Sequence, residues 1–201
     1  MLFHHKQSYF IPSDYKPHSR THDRVAGFDD WLAETREYGR DYEAMLQQGQ
    51  SPVFYWVATS SRAIPPSAIP VGRTADGRPL YCGRTFHETG VHLGWVTADA
   101  PEGLHYSYAE REFFETEFEV LVGDLSRLLW IEQSGAAKIP IQQFQIEGGS
   151  EANGTAQYVA IAEHAGGVYA GKAIAGDSKG CLIGFDTKEV AVAKYRVLVR
   201  K

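Results

Sequence analysis

From Phe28 to Leu46 the apolar side chains recur at steps of three and four. Asp29 and Asp30 lead into Trp31-Leu32, and Tyr38, Tyr42, Met45 and Leu46 follow. Acids at the start suit the positive end of a helix dipole, and Gly49 supplies a stop. The spacing predicts an amphipathic helix over 28–47. Its aromatic stripe should pack on the sheet that follows or on a second chain. Residues 1–26 are polar and rich in His, Tyr, Pro and Ser, with no hydrophobic period, and read as an extended arm.

Beyond Ser51 the period shortens. Val53-Phe54-Tyr55-Trp56-Val57, Leu80 to Gly83, His92 to Val96, Leu104 to Tyr108 and Phe118 to Val122 are short apolar runs. Each is bounded by Gly, Pro or acids, as strands are. Leu128-Leu129-Trp130-Ile131 then opens a second series, with Trp130 answering Trp56 and Ile139-Pro140 answering Ile64-Pro65.

The second series is the first one rewritten. Shifting the chain by 77 places sets Gly72 on Gly149 and runs without a gap to Val122 on Val199, with 14 of those 51 positions identical. The matches include Tyr81 with Tyr158, His87 with His164, Gly94 with Gly171 and Glu112 with Glu189. A fixed period of this kind marks a tandem repeat. Eight to twelve short strands at this spacing predict an all-β sandwich or prism. Neither copy has enough apolar surface to stand alone, so the two should share one core about a pseudo-two-fold axis. The division read from this is 1–50 arm and helix, 51–124 first repeat and 125–201 second repeat.

Composition narrows the function. A chain of 201 residues with 43% hydrophobic and 22% charged residues is globular in type. The net charge of −5 and the absence of a basic stripe argue against nucleic acid and against anionic membranes as partners. No apolar run reaches the length of a spanning helix, so no membrane insertion is expected. The N-terminus lacks the basic-then-apolar run of a secretory signal, which predicts a cytoplasmic location, with signal-free release left open. Two cysteines, Cys82 and Cys181, are too few for a disulfide framework and read as buried free thiols.

Several motifs have a plain explanation. Gly166-Gly167-Val168-Tyr169-Ala170-Gly171-Lys172 has P-loop spacing, but Ala173 stands where Ser or Thr must hold magnesium. Asn153-Gly154-Thr155 is formally a glycosylation sequon, yet an Asn-Gly turn accounts for it. His4, His5, His18 and His22 fall in the arm without an acid or Cys at matching spacing, so no metal site is read there, and no cofactor is expected. Glu112 and Glu189 each follow a base, Arg111 and Lys188, which suggests ion pairs holding the copies together. Glu151, in the turn before the Tyr158 strand, and Lys172, at the end of the hairpin after it, could meet at one sheet edge. Side by side they would offer fixed acceptors and donors to vicinal hydroxyls; the plain alternative is an exposed salt bridge.

These residues carry a resemblance. Tyr55-Trp56-Val57, Ile64-Pro65-Pro66-Ser67-Ala68-Ile69, Gly72 and the run Asp76 to Arg84 with His87 after it resemble the DM-nine repeat. So do Gly171-Lys172, Lys188-Glu189 and Tyr195 to Val199, and the likeness covers about 53–200 in two copies. The family includes invertebrate mannose-binding lectins and the N-terminal part of natterin-like toxins. The resemblance implies an all-β fold and a mannose site on an acid from the turn and the lysine of the Gly-Lys pair. By register these are Glu151 and Lys172, with Lys188 and Glu189 beside them. The first copy departs, with Thr74 and Trp95 in the matching places; with Asp76 they would make a weaker first-repeat site if the first copy binds ligand at all. The resulting expectation is a lectin for mannose-type hexoses, not an enzyme, gaining avidity as a homo-oligomer through the helix. The alternative is an intracellular protein-interaction module that uses the aromatic helix or the His105-Tyr106-Ser107-Tyr108 edge.

Overall fold

The computed structural model describes residues 27–61, 63–98, 100–140 and 143–201. The expected arm and its four histidines lie outside these residues. Helix α1 spans Phe28–Gln47, with Asp29 and Asp30 in its first turn, and the chain leaves through Gly49 at φ 73°. The helix buries Trp31, Leu32, Thr35 and Tyr42. Trp31 packs with Phe86 and Val91, and Tyr42 stacks on Tyr55 with ring centroids 5.2 Å apart. The aromatic stripe is therefore used on the chain's own sheet.

Fourteen strands follow among the described residues, more than the eight to twelve expected. The first copy holds β1 (Phe54–Ser60), β2 (Pro70–Arg73), β3 (Pro79–His87), β4 (Gly90–Val96), β5 (Leu104–Tyr108), β6 (Arg111–Glu115) and β7 (Glu117–Gly123). The second holds β8 (Leu128–Ser134), β9 (Glu147–Ser150), β10 (Ala156–His164), β11 (Gly167–Ile174), β12 (Cys181–Phe185), β13 (Lys188–Val192) and β14 (Lys194–Arg200). The extra strands are four- and five-residue pieces such as β2, β6, β9 and β13. They are too short or too charged to carry a visible alternation, and pairing with neighbours makes them strands.

Within a copy the pairing order is β1-β7-β3-β4-β5-β6, and correspondingly β8-β14-β10-β11-β12-β13. The copies then join reciprocally. Arg73 of β2 pairs with Val168 of β11, and Val91 of β4 pairs with Ser150 of β9. Adding 77 to one pair gives the other. Arg111 of β6 faces Lys188 of β13, each the other's mate, so the pseudo-two-fold axis passes between them. The Glu112 N–H donates to the Thr187 carbonyl at 3.2 Å, and the Glu189 N–H to the Glu110 carbonyl at 3.1 Å. All fourteen strands thus belong to one antiparallel hydrogen-bonded network.

The core is common property. One buried cluster takes Trp56, Leu80, Cys82, Leu93 and Leu121 from the first copy and Val159, Ile161, Cys181, Ile183 and Val197 from the second. Cys82 and Cys181 are buried free thiols, and burial pushes the Cys82 thiol up to about 12. One ion pair is also buried here: the Arg84 Nε donates to Glu119 at 2.6 Å. The same guanidinium donates to the Gly148 carbonyl of the other copy and lies 4.4 Å over the Trp56 ring. A buried pair is tolerated only when its remaining donors are satisfied in this way.

Candidate functional site

Each copy opens its site with the same tight turn. In the first, Thr74 N–H bonds to the Arg78 carbonyl and Gly77 N–H to the Thr74 carbonyl; in the second, Glu151 N–H bonds to Thr155 and Gly154 N–H to Glu151. Gly77 and Gly154 sit at φ 89° and 81°, in the left-handed region where glycine costs least. The P-loop-like segment is hairpin β10–β11, a strand running into a strand.

The second side chain of each site comes from a Gly-X pair. A Cβ on Gly94 would run into the His105 carbonyl, and one on Gly171 into the Leu182 carbonyl. Glycine lets the strands close there, and the next residue reaches across to the other copy. Lys172 donates from Nζ to the Ser107 carbonyl at 2.8 Å; Trp95 donates from Nε1 to the Gly184 carbonyl at 2.8 Å. Ser107 and Gly184 are themselves repeat mates. An ammonium and an indole therefore occupy one symmetric slot and make one symmetric bond.

Around Lys172 the slot is charged. Its Nζ lies 3.5 Å from Glu151 Oε1, 4.0 Å from Glu189 Oε2 and 3.1 Å from His92 Nδ1. The lysine side chain is 2% exposed, while Glu151 is 24% and Glu189 11% exposed. Gln157 ties the set together, donating from Nε2 to Glu151 at 2.8 Å and contacting His92 Nδ1 at 3.2 Å, while its Oε1 accepts from Leu93 N–H. Burial pulls the Lys172 ammonium below the ordinary lysine value, and Glu151 and Glu189 oppose that pull. Burial, with Lys172 and His87 nearby, lowers the His92 imidazole to about 3. Lys188, next to Glu189 in the chain, is exposed, with its backbone paired to Arg111.

Around Trp95 the slot is aromatic. Its ring stacks on His105 at 3.8 Å and meets Tyr169 edge-on at 5.3 Å. Thr74 hydrogen-bonds the Asp76 carboxylate, which also takes the Arg78 Nε at 3.0 Å. The Thr74 hydroxyl is the main cause holding the Asp76 carboxyl below the usual range. These groups line an open cleft of about 420 Å³ with Glu102, His105 and Tyr169. Among the described residues Glu112 and Glu189 make no ion pair with Arg111 or Lys188. Glu112 bonds to His105 at 2.9 Å and to Thr187 N–H at 2.7 Å, and Glu189 turns to Lys172.

His92, Gln157 and Ser107 are what sequence reasoning passed over. The repeat register relates two of the residues, though only the structure shows where they go. His92 and Tyr169 are repeat mates, and each crosses into the other copy's slot, Tyr169 onto Trp95 and His92 onto Lys172. Among the described residues no group of three or more His, Cys, Asp or Glu is placed to hold a metal ion. No described helix is long and apolar enough to cross a membrane.

The DM9 repeat matches this chain twice, over residues 6–102 and 99–192. The first match begins upstream of α1, beyond the stretch from 53 where the resemblance is visible by eye. No curated protein matches. Among solved structures, the nematode sperm cell motility protein MFP2B superposes with a TM-score of 0.51 at 12% identity, covering 74% of this chain. The alignment takes in 46% of that protein, so this chain spans about half its length, and the likeness is one of fold. The two matches, together with the reciprocal strand pairing of two like copies, decide the question of kinship: this chain belongs to the DM9 repeat family.

Proposed function

We propose that the chain is a carbohydrate-binding protein, a lectin for mannose-type hexoses, with its site at Glu151 and Lys172 and with Glu189 beside them. One observation carries the reading: a partly exposed carboxylate and an ammonium from two different hairpins stand 3.5 Å apart. Two of the three ammonium hydrogens have near neutral acceptors, in Ser107 O and His92 Nδ1. The third faces the carboxylates at longer range, where a sugar hydroxyl can enter, accepting from Lys172 and donating to Glu151. Lys188, exposed beside Glu189, stands as an outer contact. In the first copy Thr74 and Trp95 are engaged within the chain, so a weaker site there would use Asp76 and its Arg78 partner at the cleft rim. No step of catalysis is part of the reading.

A single shallow hexose site gives Kd near ~1 mM, about 4 kcal/mol. Useful affinity then comes from several sites in one assembly. The buried stripe of α1 leaves only its outer face for a homo-oligomer. The buried free thiols suit a reducing, cytoplasmic home. A second reading, a protein-interaction module, draws support from Phe114 and Phe144, which are 48% and 70% exposed. Trp31, Leu32 and Tyr42 of the helix stripe and Tyr106-Ser107 of the edge are buried, which leaves Leu46 at the helix end as the exposed apolar side chain of the stripe.

Isothermal titration with mannose tests the proposal. Wild-type protein should bind near ~1 mM, and Lys172→Ala or the milder Glu151→Gln should abolish binding while circular dichroism stays native. A flat wild-type titration at tens of millimolar would overturn it.

A further inference from the structure

His92 is fully buried in β4 of the first copy, yet its nearest polar company is the second copy's slot. Its Nδ1 faces two donors, the Lys172 ammonium at 3.1 Å and the Gln157 amide at 3.2 Å. Gln157 cannot be turned round, since its Oε1 accepts from Leu93 N–H and its Nε2 also serves Glu151. Nδ1 must therefore present a lone pair, and the ring proton sits on Nε2. Among the described residues that Nε2 makes no hydrogen bond of ordinary geometry, and the His87 backbone is the polar group that acts on the ring from elsewhere on its own copy. The imidazole is held in the one tautomer that serves Lys172.

We infer that His92 is a positioning residue for the second copy's sugar site, its neutral Nδ1 fixing the Lys172 ammonium so that the remaining N–H points between Glu151 and Glu189. The site is then assembled by both copies, with Ser107 and His92 from one and Lys172, Glu151, Gln157 and Glu189 from the other. This rests on the reading of Glu151 and Lys172 as the sugar site. A neutral amine would keep two hydrogens for Ser107 and His92 and turn a lone pair toward Glu151, so the charged form is the one that binds. The groups that set its charge are Glu151 on the β9–β10 turn, Glu189 on β13, Lys179 on the β11–β12 connection and His92 itself on β4. His87, Tyr106 and Tyr108 close the other sides of the His92 ring.

The test uses His92→Phe, which keeps the ring without the acceptor, and His92→Asn, whose Oδ1 can stand near the place of Nδ1. Titrated with methyl α-mannoside across neutral to alkaline pH, His92→Phe should bind about tenfold more weakly, the loss of one hydrogen bond to a charged group. Its loss of binding at high pH should also begin at lower pH than in wild type, and His92→Asn should recover both. Equal weakening at every pH with no rescue by Asn means simple packing and overturns the inference, as does unchanged binding by His92→Phe. The ligand-free protein gives an independent reading through the titration of the Lys172 ε-carbon by NMR. A lower midpoint in His92→Phe, restored in His92→Asn, shows that His92 fixes the Lys172 charge; with no sugar bound in wild type it is then the site reading that fails, and with it the positioning role for a sugar. An unmoved midpoint in His92→Phe overturns the inference.

Discussion

At the scale of single residues, the repeat shows what a slot requires and what it leaves open. Gly94 and Gly171 are demanded by a carbonyl on the facing strand, and the same glycine appears in both copies. The next residue needs only a donor long enough to reach across, and the copies answer differently, with Trp95 and Lys172. Glu151 and Lys172 were legible as a pair because the family register names them. Their partners were not, since His92 and Gln157 contact them from 80 and 6 residues away in sequence. Burial of His92 also has a consequence for acid stability. Its folded pKa lies near 3, below the ordinary 6.5, so the unfolded chain takes up a proton first as pH falls. Stability from this group is whole above about 6.5 and is lost as pH drops toward 3. Urea unfolding midpoints should fall over that window, and less steeply in His92→Phe than in wild type; parallel curves would contradict the assignment.

At the scale of elements, what could be seen depended on length and burial. Helix α1 was legible to its ends, because its stripe, its acidic first turn and Gly49 all agree. The longer strands β3, β4, β7 and β10 announce themselves as apolar runs. Strands β6 and β13 do not: Arg111-Glu112-Phe113-Phe114-Glu115 carries charge at both ends and becomes a strand by lying against β5 and the axis. Among the described residues Glu112 holds the copies together through the Thr187 N–H and not through an ion pair, and Glu189 faces Lys172. Neighbours along a strand point to opposite faces, so each glutamate turned inward away from the base beside it. The helix packs on the first copy, and the first family match extends over it, while the second copy has no counterpart helix among the described residues. Trp31, fully buried against Phe86 and Val91, anchors α1. Trp31→Ala should lower unfolding stability by about 3–5 kcal/mol, the usual cost of truncating a buried large ring. A change under ~1 kcal/mol in denaturant titration would mean that α1 rests on the sheet without being needed by it.

At the scale of the molecule, duplication does two jobs. The reciprocal bridges Arg73–Val168 and Val91–Ser150 and the shared core make the copies one folding body. The same interlock carries residues of one copy into the slot of the other, so the candidate site exists only in the assembled pair. The tandem repeat, its all-β class and its two-fold logic were all readable from the 77-residue shift. The interlock was not, because crossing contacts leave no trace in a self-comparison. The central claim is that a hexose sits between Glu151 and Lys172, and a crystal structure grown with mannose tests it most directly. The account predicts a sugar ring within hydrogen-bonding distance of both side chains, on a slot walled by His92 and Gln157. A well-ordered sugar bound elsewhere, or a slot closed to sugar at saturating concentration, would contradict it.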